Sequence, residues 1–178
     1  MKRQIVFLVV LAASFFAFFP YEVEATPALE FTTDAGEIIN NESLKGKPTL
    51  LVLWASWCGI CQRELPNVKT LYEQKKEKGL QVLAIGVQDK KANIARYVGK
   101  HPEIFIFPVV HDRGNQASNG FNVRGVPLFV LLDAKGEVAK THVGGGFLKD
   151  PAFMKLINDI EPPQTPKPES PENPLTPL

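Results

Sequence analysis

The chain has 178 residues, 44% of them hydrophobic and 22% charged, a composition that suits one ordinary globular domain. Its 20 Lys and Arg against 19 Asp and Glu give a formal net charge of +1, so the charge balance argues against nucleic acid or an acidic surface as partner.

Residues 1–25 read as a secretory signal. Lys2 and Arg3 form a positive start, Ile5 to Phe19 is an apolar run broken only by Ser14, and Val23-Glu24-Ala25 precedes a cut between Ala25 and Thr26. The alternative is an uncleaved anchor, although fifteen residues fall short of the roughly 20 that a helix needs to cross a bilayer. Both readings put the domain outside the cytoplasm: periplasmic, or in an equivalent space. No cysteine lies near the cut, which argues against a lipid anchor.

Leu29 to Ile39 alternates weakly around Asp34-Ala35-Gly36 and predicts a hairpin, or a strand with a turn. Thr49 to Trp54 is continuously apolar after the break at Gly46-Lys47-Pro48, the pattern of a strand buried on both faces. Gly59 to Lys78 is helical, with Leu65, Val68, Leu71 and Tyr72 on one side, a kink expected at Pro66, and Gly79 as its C-cap. Leu80 to Val87 is strand-like, Lys90 to Lys100 helical, and Ile106 to Val110 a short strand. Asn115 to Phe121 is either a short helix or an irregular loop. Pro127 to Leu132 and Glu137 to Val143 are strands joined by the turn Asp133-Ala134-Lys135-Gly136, and Pro151 to Ile160 is a last helix. Early strands alternate with helices and a hairpin closes the chain. The expected fold is therefore α/β, with a central mixed β-sheet and helices on both faces. Glu161 to Leu178 contains seven prolines and little that fills a core, so it reads as a disordered tail and leaves a domain of about 27–160.

The chain's two cysteines stand in Trp57-Cys58-Gly59-Ile60-Cys61, where a buried strand hands over to a helix. Unpaired N–H groups and the positive end of the macrodipole both favour a thiolate there. A free thiol with a pKa near 8.5 is about 3% ionised at pH 7, and lowering that pKa to about 7 makes it roughly half. Cys58 is the expected nucleophile, and Cys61, one turn further in, the sulfur that resolves its mixed disulfide. A stapling disulfide is the plainer reading, but so small a ring removes only about 2 kcal/mol of unfolded-state entropy. A metal site would need more ligands, and His101, His111 and His142 are scattered and read as ordinary surface or loop residues. No metal and no cofactor is expected.

With Trp54-Ala55-Ser56-Trp57-Cys58-Gly59-Ile60-Cys61 in view, and Gly125-Val126-Pro127 about 65 residues further on, the sequence resembles the thioredoxin superfamily over roughly Leu29 to Ile160. The likeness is to its exported TlpA, ResA and DsbE-type oxidoreductases. It implies a thioredoxin-like fold, a redox-active disulfide between Cys58 and Cys61, and a cis Pro127 facing them. Val126 would then offer its backbone to an extended substrate segment, with Trp57 beside it. It also nominates Glu64, in the Cys-x-x-Cys-x-x-Glu pattern, as a proton partner of Cys61, with a pKa raised by desolvation. An exposed helix glutamate is the competing reading.

Three positions depart from the common pattern. Val52 stands where thioredoxins carry a buried aspartate, Leu128 where a threonine is usual after the proline, and Gly59-Ile60 where thioredoxin has Gly-Pro. The resemblance implies a protein-disulfide reductase acting on client protein thiols and disulfides. A membrane protein would donate its electrons, the clients being of the cytochrome c or copper-site type. The protein is expected to be monomeric and to meet a membrane only through its signal or anchor segment. A dithiol oxidase and a copper-binding chaperone are the alternatives, while a thiol peroxidase would need a threonine near Cys58 that is absent.

Overall fold

The computed structural model describes residues 26–160; the expected signal segment and the proline-rich tail lie outside the described residues. Strands β1 (Glu30–Thr32) and β2 (Ile38–Asn40) form a separate antiparallel hairpin around the turn at Asp34-Ala35-Gly36. Strand β3 (Thr49–Trp54) follows, with all six residues buried, and leads into helix α1 (Gly59–Lys75). One 3₁₀ turn extends that helix to Gly79, which takes the left-handed φ of 98° that only glycine adopts cheaply. Next come β4 (Gln81–Gly86), α2 (Lys91–Lys100), β5 (Val109–His111) and α3 (Gln116–Gly120). The chain then forms β6 (Leu128–Leu132), β7 (Val138–Val143) and α4 (Pro151–Asn158).

Five strands make one mixed sheet in the order β5-β4-β3-β6-β7. The pairs β3–β4 and β4–β5 are parallel, each joined by a helical crossover, while β3–β6 and β6–β7 are antiparallel. Alternation along β3 divides the core. Leu50, Val52 and Trp54 face the cluster formed with α1, α2 and α4, whereas Leu51 and Leu53 face the hairpin and α3. The expected mixed sheet with helices on both faces is what the chain forms, although on the second face a hairpin does most of the covering.

One local reading shifts. The short strand expected from Ile106 begins only at Val109, because Pro108 has no N–H to offer the ladder and Ile106 remains exposed. Helix α1 runs without a break through Pro66.

The sheet also has two poles. Cys58 lies beyond the C-terminal end of β3, beside the start of β6, since Leu53 pairs with Leu128. At the opposite pole, the Thr26 hydroxyl donates to the Gly136 carbonyl in the β6–β7 turn, and Asn158 at the end of α4 accepts from Lys75 at the end of α1.

Candidate active site

Cys58 is the N-cap of α1, with extended backbone angles of −85° and 102°, and its Sγ accepts the N–H of Cys61 at 3.1 Å. The Gln62 N–H closes the first helical turn on the Cys58 carbonyl. The sulfur therefore sits where a helix presents otherwise unpaired amides, as in an ordinary side-chain cap. Cys58 and Cys61 are joined as a disulfide with Cα atoms 5.2 Å apart. Both are nearly covered, Cys61 more so, at 1% exposure against 6%. Access is thus to Cys58.

The facing wall is the loop into β6. The Val126–Pro127 peptide is cis, and the Val126 carbonyl oxygen lies 3.5 Å from Cys58 Sγ. The Pro127 carbonyl accepts the N–H of Gly144 at 2.8 Å, which ties this loop to the end of β7. Around the disulfide the surface is apolar and open: Trp57 is 60% exposed, Ile60 42% and Val143 70%.

Glu64 is half-buried one turn beyond Cys61, on the same helix. Its carboxylate accepts the Gly146 N–H at 2.8 Å and the Asn67 side-chain amide at 3.1 Å. Among the described residues its hydrogen bonds run to the glycine loop 144–146 and to Asn67, not to sulfur. Gly145 packs so closely on α1 that a Cβ there would stand 3.0 Å from Glu64 Oε1 and 3.1 Å from Ile60 Cγ2.

Reading the sequence alone missed two contributors to the site, Asp89 and Gln88, and one strand–helix pair, His142 with Asp150. Asp89, after β4, accepts from both the N–H and the hydroxyl of Ser56, at 2.9 and 2.5 Å. Gln88 accepts the indole N–H of Trp57 on its carbonyl at 3.2 Å. His142, expected as an ordinary surface or loop residue, stands in β7 and is only 19% exposed; its Nδ1 lies 3.1 Å from Asp150, the N-cap of α4. The Asp150 carboxyl is held below its ordinary range by the Phe153 N–H and by His142. No sequence period marks any of these; for Gln88 and Asp89 a polar residue just past a strand end was the only available sign.

A mixed five-stranded sheet with a Cys-x-x-Cys disulfide at a helix start, facing an X–Pro bond, defines a thioredoxin-like fold bearing a disulfide-capable pair. The Redoxin family model matches residues 22–151, and the chain belongs to that family, as a TlpA/ResA/DsbE-like member of the thioredoxin superfamily. The chain is 32% identical over 110 residues to thiol-disulfide oxidoreductase ResA of Halalkalibacterium halodurans, covering 62% of this chain and 61% of that protein. ResA of Bacillus cereus is 30% identical over 118 residues, covering 66% and 67%. The chain spans about three-fifths of the length of the first curated relatives it matches, 61% and 56%. Among solved structures, a Chlorobium tepidum protein provisionally named thiol:disulfide interchange protein DsbE superposes with a TM-score of 0.68 at 27% identity, covering 75% of this chain and 93% of that one. StoA from Bacillus subtilis, at 23% identity and a TM-score of 0.60 over 76% of this chain and 97% of that one, shares the fold.

Proposed function

We propose that this protein is an extracytoplasmic thiol–disulfide oxidoreductase that reduces disulfides in client proteins. The observation that carries the reading is Cys58 Sγ at the helix cap, accepting an amide N–H and standing beside the Val126 carbonyl. The amide favours the anionic sulfur, and the adjacent carbonyl marks where a client backbone can lie alongside.

In the reduced protein, the Cys58 thiolate attacks one sulfur of a client disulfide. That bond breaks, a mixed disulfide forms, and the first client sulfur leaves and takes a proton. Cys61, having lost its own proton, then attacks Cys58 Sγ. The second client thiol is released and the Cys58–Cys61 bond forms, so two electrons have passed to the client. Glu64 is the proposed acceptor of the Cys61 proton, being one turn away and partly shielded from water. Trp57, Val126 and Pro127 form the proposed client-binding edge. A membrane donor would return the electrons. Export through residues 1–25, a domain over 27–160 and clients of the cytochrome c or copper-site type belong to the same reading, supported by the family resemblance.

Equilibration with glutathione tests the direction of electron flow. A reductase has a potential well below that of its clients, and a value near −120 mV, typical of a strong oxidant, would reverse the direction. Glu64→Gln should slow the second step alone, so that mixed disulfide accumulates on Cys58 when oxidised insulin is supplied. An unchanged rate of resolution would remove Glu64 from the proton path.

A further inference from the structure

We propose that Asp89 is a positioning residue for Cys58, holding the Ser56–Trp57 turn so that the nucleophilic sulfur is kept on the helix cap. The proposal rests on the reading of Cys58 as the attacking sulfur and adds what places it there. Three residues separate the end of β3 from Cys58, and no strand or helix bond fixes them besides the Cys58 N–H on the Ala55 carbonyl. Asp89 holds Ser56 from one side, while the Gln62 side-chain amide donates to the Ser56 carbonyl at 2.7 Å and the Trp57 indole to the Gln88 carbonyl at 3.2 Å. Asp89 Oδ2 takes two bonds from Ser56, while Oδ1 accepts from the Lys90 N–H at 2.7 Å and the Asn93 side chain at 2.9 Å.

The corner that carries Asp89 is itself pinned. Gln88 has a φ of 51°, in the left-handed region that non-glycine residues seldom occupy. Its side-chain amide donates to the Val123 carbonyl on the opposite wall at 3.1 Å, and His111 Nε2 lies 2.8 Å from the Asp89 carbonyl. Both walls of the cleft are therefore referred to one corner after β4. Burial pushes the Asp89 carboxyl up, but the bonds from Ser56, Asn93 and Lys90 outweigh it and hold the group below its ordinary range. It is therefore an acceptor at every bond at neutral pH.

Geometry and charge predict opposite results, which makes the proposal testable. Loss of the cap should raise the Cys58 pKa, whereas loss of a nearby anion should lower it. The measurement is the pH dependence of iodoacetamide alkylation of Cys58 in the reduced full-length protein, together with insulin reduction. Asp89→Ala should alkylate about tenfold more slowly at pH 6 and lose a similar factor in kcat/KM. Asp89→Asn should retain most of both, because its oxygen can face Ser56 while the Asn93 amide turns to accept, and only the Lys90 N–H loses its acceptor. Faster alkylation in Asp89→Ala would assign the effect to charge, and an Asp89→Asn variant as impaired as the alanine variant would show that acceptance from Ser56 does not hold the cap; either overturns the proposal. A lowered thermal midpoint with an unchanged alkylation profile would make Asp89 a brace only, and overturn it equally. Should Asp89→Ala fail to fold, Ser56→Ala removes one bond and should shift the profile in the same direction by about threefold; no shift there would overturn it as well. If wild-type Cys58 itself alkylates like a free thiol, the oxidoreductase reading is what fails.

Discussion

Strand β3 and the three residues that follow it are neighbours built on different principles. From Thr49 to Trp54 every side chain is buried, two ladders bind the backbone, and apolar contacts on both faces set the position. From Ala55 to Trp57 the ladders are gone, Ala55 is still buried but Trp57 is largely exposed, and position depends on a few hydrogen bonds, most of them from residues some thirty places away. The strand buries one polar side chain, Thr49, whose hydroxyl donates to the Gln81 side chain, and shares its stability among many contacts. The turn beyond it depends on single bonds, and the chemistry sits at its end.

Breaking the turn's end point should have the largest effect. Cys58→Ser is expected to abolish insulin reduction, since no sulfur remains to open the client bond. Cys61→Ala should instead stall as a Cys58 mixed disulfide, visible as an adduct by mass spectrometry. An adduct formed by Cys58→Ala and not by Cys61→Ala would reverse the two roles.

The strand side of the comparison is sharpened by Phe129→Ala. Phe129 is fully buried in β6 and stacks on Phe147 with ring centroids 4.2 Å apart. The truncation should cost about 3–5 kcal/mol in denaturant unfolding, while the Cys58 alkylation profile of the folded fraction stays the same. A smaller effect is expected from Gly145→Ala, whose new methyl group would press on Ile60 and Glu64. Insulin reduction should fall by about threefold through KM, with little change in thermal midpoint. The smallest effect lies in the pH dependence of stability. Asp89 and Asp150 both titrate below their ordinary range when folded. Their contribution is thus complete above about pH 4 and is lost as pH falls through the folded values. Replacing either with Asn should flatten the acid limb of an unfolding curve recorded between those limits.

The same contrast explains what could be read from the residues alone. Strand β3 and helix α1 announce themselves through apolar runs and period, and Cys58 and Cys61 through their spacing at the junction. The mixture of parallel and antiparallel strands followed from the crossovers and the closing hairpin. Asp89 and Gln88 gave no such sign, because a side chain that braces a loop needs the right address in space and leaves no pattern along the chain. His142 was passed over for the same reason: its partner Asp150 looks like an ordinary helix cap. The start of β5 was misplaced by three residues because Phe107 is buried without being in the ladder.

Thr26 and Asn158 both lie at the pole away from Cys58, one on the Gly136 turn and the other beside Lys75. A leash grafted at either of these two positions would therefore hold the molecule by its back. Immobilised on a bead or a bilayer, the protein would turn its sulfur toward the bulk phase, free to meet whatever drifts past.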